Sequence, residues 1–289
     1  MVALRRVCAD ASARGQPFDA CIHFAGLKAV GESVLEPLRY YEHNVGGTIN
    51  LLRTLDEHGC RRLVFSSSAT VYGQPDVNPV PETARLTTSN PYGTTKLVIE
   101  GMLREAAAAT ASSNENGCWR IVILRYFNPI GAHPSGQIGE HPQGVPNNLL
   151  PYVMQVAIGQ REAIQVFGND FATPDGTGCR DYIHVTDLVA GHMAALQHGL
   201  FGDALAGQAC DVFNLGCGRP VSVLEVIRAA ESVVGRRLPV ATRPSTTPTS
   251  ASPRVYCTGS HKKRSKRLSP TAGVGKQPIL TAFLISLAT

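Results

Sequence analysis

The 289-residue sequence lacks several features that would place it in other classes of protein. No apolar run approaches the roughly 18 residues that a membrane-spanning helix needs. The eight cysteines form no CxxC pair and no His/Cys spacing of the zinc type. Because there is also no hydrophobic signal at the start, we expect a reducing, cytoplasmic setting, no membrane contact and no metal.

Acidic residues are missing from the last part of the sequence. Residues 236–289 contain ten Lys and Arg and no Asp or Glu, whereas residues 1–235 contain 17 basic and 22 acidic residues. The net charge of +5 therefore comes entirely from the tail. We interpret its basic run HKKRSKR (261–267) as part of a tail without function, and expect no nucleic-acid partner.

The remaining sequence alternates between strand-like and helix-like segments. Three short apolar runs predict buried strands, at 19–26, 61–68 and 119–127. A helix is predicted before the first run, another around Leu38–Glu57 that ends at Gly59, and a third from Tyr92 to about Thr110. This order predicts an α/β fold with a parallel sheet and right-handed crossovers.

A second, smaller region is predicted after the third strand. Residues 128–148 are rich in Gly and Pro and are expected to lack regular structure. A helix is predicted at 149–159 and a strand near 164–168. Ser222 and Glu225 have the spacing of a capping box, which predicts a helix that begins there.

The segment NPYGTTK places Tyr92 and Lys96 four residues apart, on one face of a helix. A free tyrosine, with a pKa of about 10, is a poor base, but a neighbouring ammonium favours its phenolate. Such a tyrosine could take a proton from an alcohol. The alternative is chance, because this pair occurs in many helices without any function.

Seven blocks in order extend this pattern: HFAGLKAVGES, SSSATVYG, NPYGTTK, LRYFNPIGAH, GVPNNLLPYV, VFGNDFATPDGTGCRDYIHV and FNLGCG. From about Asp19 to Leu238 the sequence resembles the UDP-glucose 4-epimerases (UDP-galactose 4-epimerases) of the extended short-chain dehydrogenase/reductase family. The resemblance implies a Rossmann-like doubly wound sheet with a smaller α+β substrate-binding region. It also implies an isomerase of galactose metabolism that uses NAD to interconvert UDP-galactose and UDP-glucose through a 4-keto sugar.

The resemblance also implies roles for individual residues. Tyr92 would be the base, Lys96 would lower its pKa and hold the nicotinamide ribose, and Ser68 would bond the reacting oxygen. The implied cofactor-binding residues are Phe24, Ala25, Gly26, Leu27, Lys28, Tyr92, Lys96 and Phe127. The implied substrate-binding residues are Ser68, Asn128, Asn148, Leu149, Phe167 and Arg180.

Three of these residues have simpler explanations. Ser68 would then be a strand-end hydroxyl that bonds a local backbone group. Arg180 would be a loop-anchoring arginine beside Asp181, and Asn148 would cap the helix that follows it.

Two departures from the family pattern affect the expected activity. The glycine-rich turn that receives the pyrophosphate is absent, and the chain is expected to be N-terminally truncated. Losing roughly three charged hydrogen bonds would cost about 5–9 kcal/mol of NAD binding. We therefore divide the chain into a partial NAD-binding domain (1–128), a mainly substrate-binding region with returning Rossmann elements (129–243) and a divergent, disordered basic tail (244–289).

Two other functions remain open from the sequence. The chain could be a catalytically inactive homologue, which the missing turn and the tail favour. It could also be another nucleotide-sugar enzyme such as a 4,6-dehydratase, although SSSATVYG lacks the carboxylate that water elimination requires. If the chain folds, the resemblance implies a homodimer that pairs through the helices around Leu38–Glu57 and Tyr92–Thr110.

Overall fold

The computed structural model describes residues 2–111, 117–202 and 209–243. The predicted basic tail, 244–289, lies outside the described residues. Nine strands and eight α-helices occur in the described part of the chain. The strands are β1 (Cys21–His23), β2 (Arg62–Ser68), β3 (Arg120–Tyr126), β4 (Asn128–Ile130), β5 (Ile164–Phe167), β6 (Cys179–His184), β7 (Cys210–Leu215), β8 (Pro220–Ser222) and β9 (Val240–Arg243).

The main sheet has four parallel strands in the order β1-β2-β3-β7. Residues of β2 and β3 alternate between two hydrophobic clusters, because successive side chains of a strand point to opposite faces. Leu63 and Ile121 lie in one cluster, and Val64 and Val122 lie in the other. A sheet covered on both faces explains why these strands are apolar throughout, and the predicted parallel α/β fold is confirmed.

Helices cover the two faces of this sheet. The helices are α1 (Val2–Ala13), α2 (Val30–Leu35), α3 (Pro37–Tyr40), α4 (Gly47–Glu57), α5 (Pro91–Ala111), α6 (Leu149–Ala157), α7 (Val185–Ala194) and α8 (Val223–Val234). Leu55 of α4 and Ile99 and Leu103 of α5 pack into the first cluster. Ala194 at the end of α7 and the π-helical turn that follows it pack into the second cluster.

The helix predicted around Leu38–Glu57 is present but is not uniform. A π-helical segment, Tyr41–Gly46, separates α3 from α4. Gly59 follows the end of α4 with φ +71°, a left-handed conformation that glycine adopts at low cost, as predicted. The π-helical segment carries Asn44, whose side chain is buried and is used at the site described below.

The smaller region contains two short sheets. The first has the order β4-β6-β8, and the second pairs β5 with β9. The capping box is present: the Ser222 hydroxyl accepts from the Glu225 N–H at 3.0 Å, and the Glu225 carboxylate accepts from the Ser222 N–H at 2.7 Å. The prediction that residues 128–148 lack regular structure is wrong for Asn128–Ile130, because β6 pairs with this short segment.

A tight turn closes the segment that follows β2. A single 3₁₀ turn, Ala69–Tyr72, ends at Gly73, which has φ +59°. A Cβ atom at Gly73 would lie 1.4 Å from the Thr87 carbonyl oxygen, so the backbone passes where a side chain would be. Only glycine fits this turn without rearrangement.

The described residues contain neither a membrane-spanning helix nor a cluster of metal-ligating side chains. None of the helices described is long and apolar enough to cross a membrane. Across residues 2–111, 117–202 and 209–243, no group of three or more His, Cys, Asp and Glu side chains is arranged to hold a metal ion.

Candidate active site

Helix α5 carries Tyr92 and Lys96 in its first two turns. The helix begins at Pro91, a residue suited to a first turn because it lacks a backbone N–H. The Asn90 side chain accepts a hydrogen bond from the Gly93 N–H at 2.8 Å and so caps the helix. Tyr92 is 7% exposed and Lys96 is 4% exposed, so both functional groups lie inside the protein.

Ser68 lies at the carboxyl end of β2, where α5 passes. Its hydroxyl oxygen accepts hydrogen bonds from the Thr70 N–H at 3.3 Å and from the Thr70 hydroxyl at 3.0 Å. The Ser68 side chain also acts on Tyr92, because it lowers the pKa of the Tyr92 phenol. Ser68 therefore has the local backbone contact of the simpler interpretation and, in addition, an interaction with Tyr92.

The pKa of Tyr92 depends on burial and on Ser68. Burial raises the pKa of Tyr92 above its usual value of 10, and the hydrogen bond to Ser68 opposes this rise. Lys96 is not among the causes of this shift, and its role in lowering the pKa of Tyr92 stays a prediction. A four-residue spacing brings two residues to one helix face, but it does not determine where a long side chain ends.

Lys96 instead extends along β2. Its ammonium donates a hydrogen bond of 2.8 Å to the Ser66 carbonyl oxygen and lies 4.8 Å from the centre of the Phe65 ring. Burial lowers the pKa of Lys96 to about 8, and the charge of Glu100 opposes this decrease. Within the described part of the chain, the Ser66 bond uses one of the three ammonium N–H groups.

The segment Phe24–Lys28 follows β1 and is held by a residue that the sequence analysis did not identify. The Asn44 side-chain oxygen accepts from the Leu27 N–H at 2.8 Å, and its amide nitrogen donates to the Leu27 carbonyl at 3.0 Å. The same amide group also donates to the Thr95 hydroxyl at 3.1 Å. Asn44 thus connects the predicted cofactor segment to the helix that carries Tyr92.

A cavity of about 340 Å³ opens beside Ser68. Four predicted site residues line it: Ser68, Phe127, Asn128 and Arg180. The sequence analysis did not single out the other lining residues, which are Val30, Ala69, Thr70, Ser89, Asn90, Tyr126 and Asn147. No Asp or Glu occurs among these described lining residues, and Arg180 supplies the positive charge.

A second cavity, of about 520 Å³, lies beside the first part of residues 128–148. Lys28 and Asn148 line it, and Glu140 connects them: it lies 3.7 Å from the Lys28 ammonium and accepts from the Asn148 amide at 3.3 Å. Asn148 precedes α6 but makes no side-chain capping bond there, so the capping alternative does not hold.

Two predicted substrate residues lie away from these cavities. Phe167 is 67% exposed at the end of β5, and Leu149 packs against the cluster formed by α6, β5 and α8. Neither residue is among the described residues that line the two cavities. The structure therefore brings together Ser68, Tyr92 and Lys96, with Asn128 and Arg180 at the cavity wall, but not Leu149 and Phe167.

This arrangement combines groups that suit proton transfer at a hydroxyl. A serine hydroxyl lines a cavity and influences the pKa of a buried phenol, and a buried ammonium lies one helical turn further along α5. In such a set the phenol and serine hydroxyl can pass a proton to or from a bound alcohol. The guanidinium of Arg180 is suited to a phosphate group.

Comparison with known proteins agrees with the resemblance that the seven sequence blocks predicted. UDP-glucose 4-epimerase 2 of Oryza sativa subsp. japonica is 56% identical over 223 residues, which are 77% of this chain and 52% of that protein. UDP-glucose 4-epimerase of Bacillus subtilis (strain 168) is 51% identical over 236 residues, 82% of this chain and 66% of that protein. The chain spans about half to two thirds of the length of these curated relatives.

A solved structure gives the same picture. The crystal structure of UDP-glucose 4-epimerase from Bifidobacterium longum in complex with NAD⁺ and UDP has a TM-score of 0.83 at 42% identity, covering 99% of this chain and 80% of that chain. The sequence profile described as "NAD dependent epimerase/dehydratase family" matches residues 4–216. The chain therefore belongs to the NAD dependent epimerase/dehydratase family.

Proposed function

We propose that this protein is an isomerase that interconverts UDP-galactose and UDP-glucose at C4, with NAD as its cofactor. The observation that carries the proposal is that Ser68 lines the 340 Å³ cavity and lowers the pKa of the buried Tyr92, with the buried Lys96 on the same helix as Tyr92. The relatives that support it are themselves UDP-glucose 4-epimerases, and one was crystallised with NAD⁺ and UDP.

In this proposal Tyr92 and Ser68 move the proton of the sugar's 4-hydroxyl. Tyr92 accepts the proton when the alcohol is oxidised and returns it at the end, and Ser68 orients the reacting oxygen. Because burial raises the pKa of Tyr92, the phenolate is favoured only when a positive charge is added nearby, as the nicotinamide ring of bound NAD⁺ would add. When bound, NAD⁺ supplies the acceptor and donor of the C4 hydride.

The described residues fit the nicotinamide half of this cofactor. Lys96 keeps ammonium N–H groups beyond its Ser66 bond, and donors of this kind suit ribose hydroxyls. Phe24 is 56% exposed at the start of the predicted cofactor segment, which Asn44 holds in place. We assign the role of holding NAD to Phe24–Lys28, Tyr92, Lys96 and Phe127.

For the substrate, we propose that Asn128 and Arg180 hold the UDP-sugar in the 340 Å³ cavity. Arg180 would pair with the diphosphate, because a guanidinium binds phosphate oxygens in a bidentate way. Asn148, Leu149 and Phe167 remain predicted substrate residues. No carboxylate occurs among the described residues that line this cavity. A 4,6-dehydratase would need one, so the cavity favours epimerisation.

The test is turnover by the purified chain with NAD⁺ and UDP-galactose, followed by chromatographic detection of UDP-glucose. NAD⁺ is added in large excess, because its binding is expected to be weakened. Under these conditions we expect conversion, and a 10²- to 10⁴-fold lower rate for Tyr92→Phe, the range typical of a lost acid–base group. Tyr41→Phe, on the π-helical segment, is the matched control and should retain the rate. A folded, monodisperse protein that binds NAD⁺ but gives no product would refute the proposal, and one that does not bind NAD⁺ would support an inactive homologue.

We also propose that the protein acts as a cytoplasmic homodimer. Leu35 and Leu38 are 82% and 81% exposed, and such apolar side chains on α2 and α3 suit a protein interface. The described cysteines form no disulfide with one another, in keeping with a reducing compartment. Sedimentation should give a dimer that Leu38→Asp converts to a monomer, and a monomeric wild-type chain would contradict this.

A further inference from the structure

Glu100 is a buried carboxylate one helical turn after Lys96. Its side chain is fully buried, and both of its oxygens accept hydrogen bonds. One oxygen accepts from the Ser67 hydroxyl at 2.6 Å and from Arg125 Nε at 2.9 Å. The other accepts from Arg125 Nη2 at 2.6 Å and from Arg104 Nη2 at 2.9 Å. Four donors satisfy this carboxylate, so it is held in one position.

These bonds align α5 with the end of β2. Tyr92, Lys96 and Glu100 follow each other at four-residue intervals on one face of the helix. The first contacts the Ser68 side chain, the second donates to the Ser66 carbonyl, and the third accepts from the Ser67 hydroxyl. Three consecutive residues of β2 therefore meet three consecutive turns of α5.

Arg125 extends this alignment to the rest of the site. Its side chain is 1% exposed and donates to the Tyr72 hydroxyl at 2.9 Å and to the Glu82 carbonyl at 3.1 Å. The Tyr72 hydroxyl in turn donates to the Asn214 side chain of β7 at 2.7 Å. The pair formed by Glu100 and Arg125 thus joins α5, β3, β7 and the turn after Ser68.

We propose that Glu100 is a positioning residue for Lys96 and Tyr92, acting through its fixed negative charge next to Lys96 and through the bonds that align α5 with β2. The inference rests on the proposed function in one respect: a charged Lys96 is useful because it can donate to a cofactor ribose. The arrangement itself involves only residues of this chain.

Other titratable groups lie in the same network of contacts. His23 of β1 is influenced by the charge of Lys96, and His192 of α7 bonds the hydroxyl of Ser66, the residue whose carbonyl accepts from Lys96. Arg125 of β3 pairs with Glu100, and Tyr126 of β3 is influenced by Tyr92. Burial lowers the pKa of His23 and of His192, and burial raises the pKa of Tyr126, so these three are neutral near pH 7. Among the described residues, Glu100 is the one carboxylate whose charge acts on Lys96.

The electrostatic consequence has a definite sign. Burial lowers the pKa of Lys96 to about 8, and the charge of Glu100 raises it against this effect. Replacing Glu100 by a neutral side chain removes that compensation. Lys96 would then lose its proton at a lower pH, and at neutral pH a large part of the protein would carry a neutral amine.

The experiment is a pH titration of the lysine ¹³Cε resonances in ¹³C-lysine-labelled protein. Lys28 and Lys96 are the only lysines in residues 1–243, and four more lie in residues 244–289. The Lys96 and Lys28 resonances are therefore assigned as those that disappear in Lys96→Met and in Lys28→Arg. We expect a pKa of about 8 for Lys96 in the wild type. In Glu100→Gln we expect the Lys96 midpoint to lie below the wild-type midpoint.

Two further variants keep the test decisive. Arg104→Gln removes a partly exposed donor but leaves the carboxylate charged, and the Lys96 titration should stay at or above its wild-type midpoint. If Glu100→Gln alone does not fold, because it leaves Arg125 as a buried unpaired cation, Glu100→Gln/Arg125→Met removes both charges. Here the Lys96 midpoint should still fall, because Glu100 is the charge that raises the pKa of Lys96, but it should fall less than in Glu100→Gln, because the lost Arg125 cation acts in the opposite direction.

A Lys96 midpoint that stays unchanged in a folded Glu100→Gln or double variant would overturn the proposal. The titration needs neither NAD⁺ nor a nucleotide sugar, so it can succeed even where the proposed epimerase activity fails. Conversely, turnover in the wild type with an unchanged Lys96 midpoint in the variants would refute the role of Glu100 alone.

Discussion

The buried ammonium of Lys96 is expected to reduce the stability of the protein at neutral pH. Its pKa in the folded protein is about 8, below the ordinary lysine value of 10.5. Below pH 8 both the folded and the unfolded chain carry this proton, and the folded state bears the full cost of burying the charge. Between pH 8 and 10.5 the folded state loses the proton first, so this cost disappears as the pH rises.

The size of the effect follows from the difference between the two pKa values. One pKa unit corresponds to about 1.4 kcal/mol, so a decrease from 10.5 to about 8 corresponds to about 3 kcal/mol. Lys96 is 4% exposed, so solvent does not screen this cost. The cost is a large fraction of a typical stability of 5–15 kcal/mol.

The assay compares urea unfolding of the wild type and Lys96→Met at pH 7 and at pH 10.5. The single tryptophan, Trp119, is buried at the start of β3 and serves as a fluorescence reporter. Removing the ammonium leaves the Ser66 carbonyl without this donor, but that cost does not depend on pH and cancels between the two conditions.

We expect the free energy of unfolding of the wild type, relative to Lys96→Met, to rise by about 3 kcal/mol from pH 7 to pH 10.5. Cysteines and tyrosines also titrate in this range, but they are common to both proteins and cancel in the difference. A difference between the two proteins that is the same at both pH values would refute the reasoning, because Lys96 would then have an ordinary pKa.

Three other predictions concern the scaffold. Gly73→Ala should reduce the free energy of unfolding by more than about 3 kcal/mol in urea unfolding. Gly59 is also left-handed but lies in open space, so Gly59→Ala should cost about 1 kcal/mol. Equal costs for the two variants would contradict the described turn. Leu103→Ala should cost about 2–5 kcal/mol, because the side chain is fully buried against β2 and β3. Asn44→Leu should speed amide hydrogen exchange at Leu27 at least tenfold, and unchanged exchange would show that Asn44 does not hold the segment.

The sequence predicted the main sheet well because the information is local. Three signals act within a few residues: apolar runs, a proline at the first helical position and a capping box. The sequence could therefore predict β2, α5 and the start of α8. The roles assigned to Ser68 and Tyr92 came from the family resemblance. They could not be derived from spacing, because 24 residues separate the two.

The parts that the sequence did not predict depend on tertiary packing. Asn44 lies within a helical stretch and has no local signal for its bonds to Leu27. Glu100 and Arg125 are 25 residues apart, and only the packing of α5 on β3 makes them partners. The effect of burial on Tyr92 was not predicted either: it raises the pKa of the phenol, while the Lys96 ammonium bonds the Ser66 carbonyl of β2.

The division of the chain at residues 128 and 243 stays a prediction. Strand β7, at Cys210–Leu215, pairs with β3 in the main sheet, so the later part of the chain returns to the first. The two cavities lie between segments from both parts, since Ser68 and Arg180 line the same one. Site-directed changes on either side of the boundary should therefore affect one common binding event.

The most direct test of the central claim is the fate of the C4 hydrogen. UDP-galactose labelled with deuterium at C4 is incubated with the protein and NAD⁺, and the UDP-glucose formed is analysed by mass spectrometry and NMR. The account predicts that the deuterium stays at C4 while the configuration inverts, and that Tyr92→Phe forms this product at least 10²-fold more slowly. Product with solvent hydrogen at C4, or equal rates for wild type and Tyr92→Phe, would contradict it.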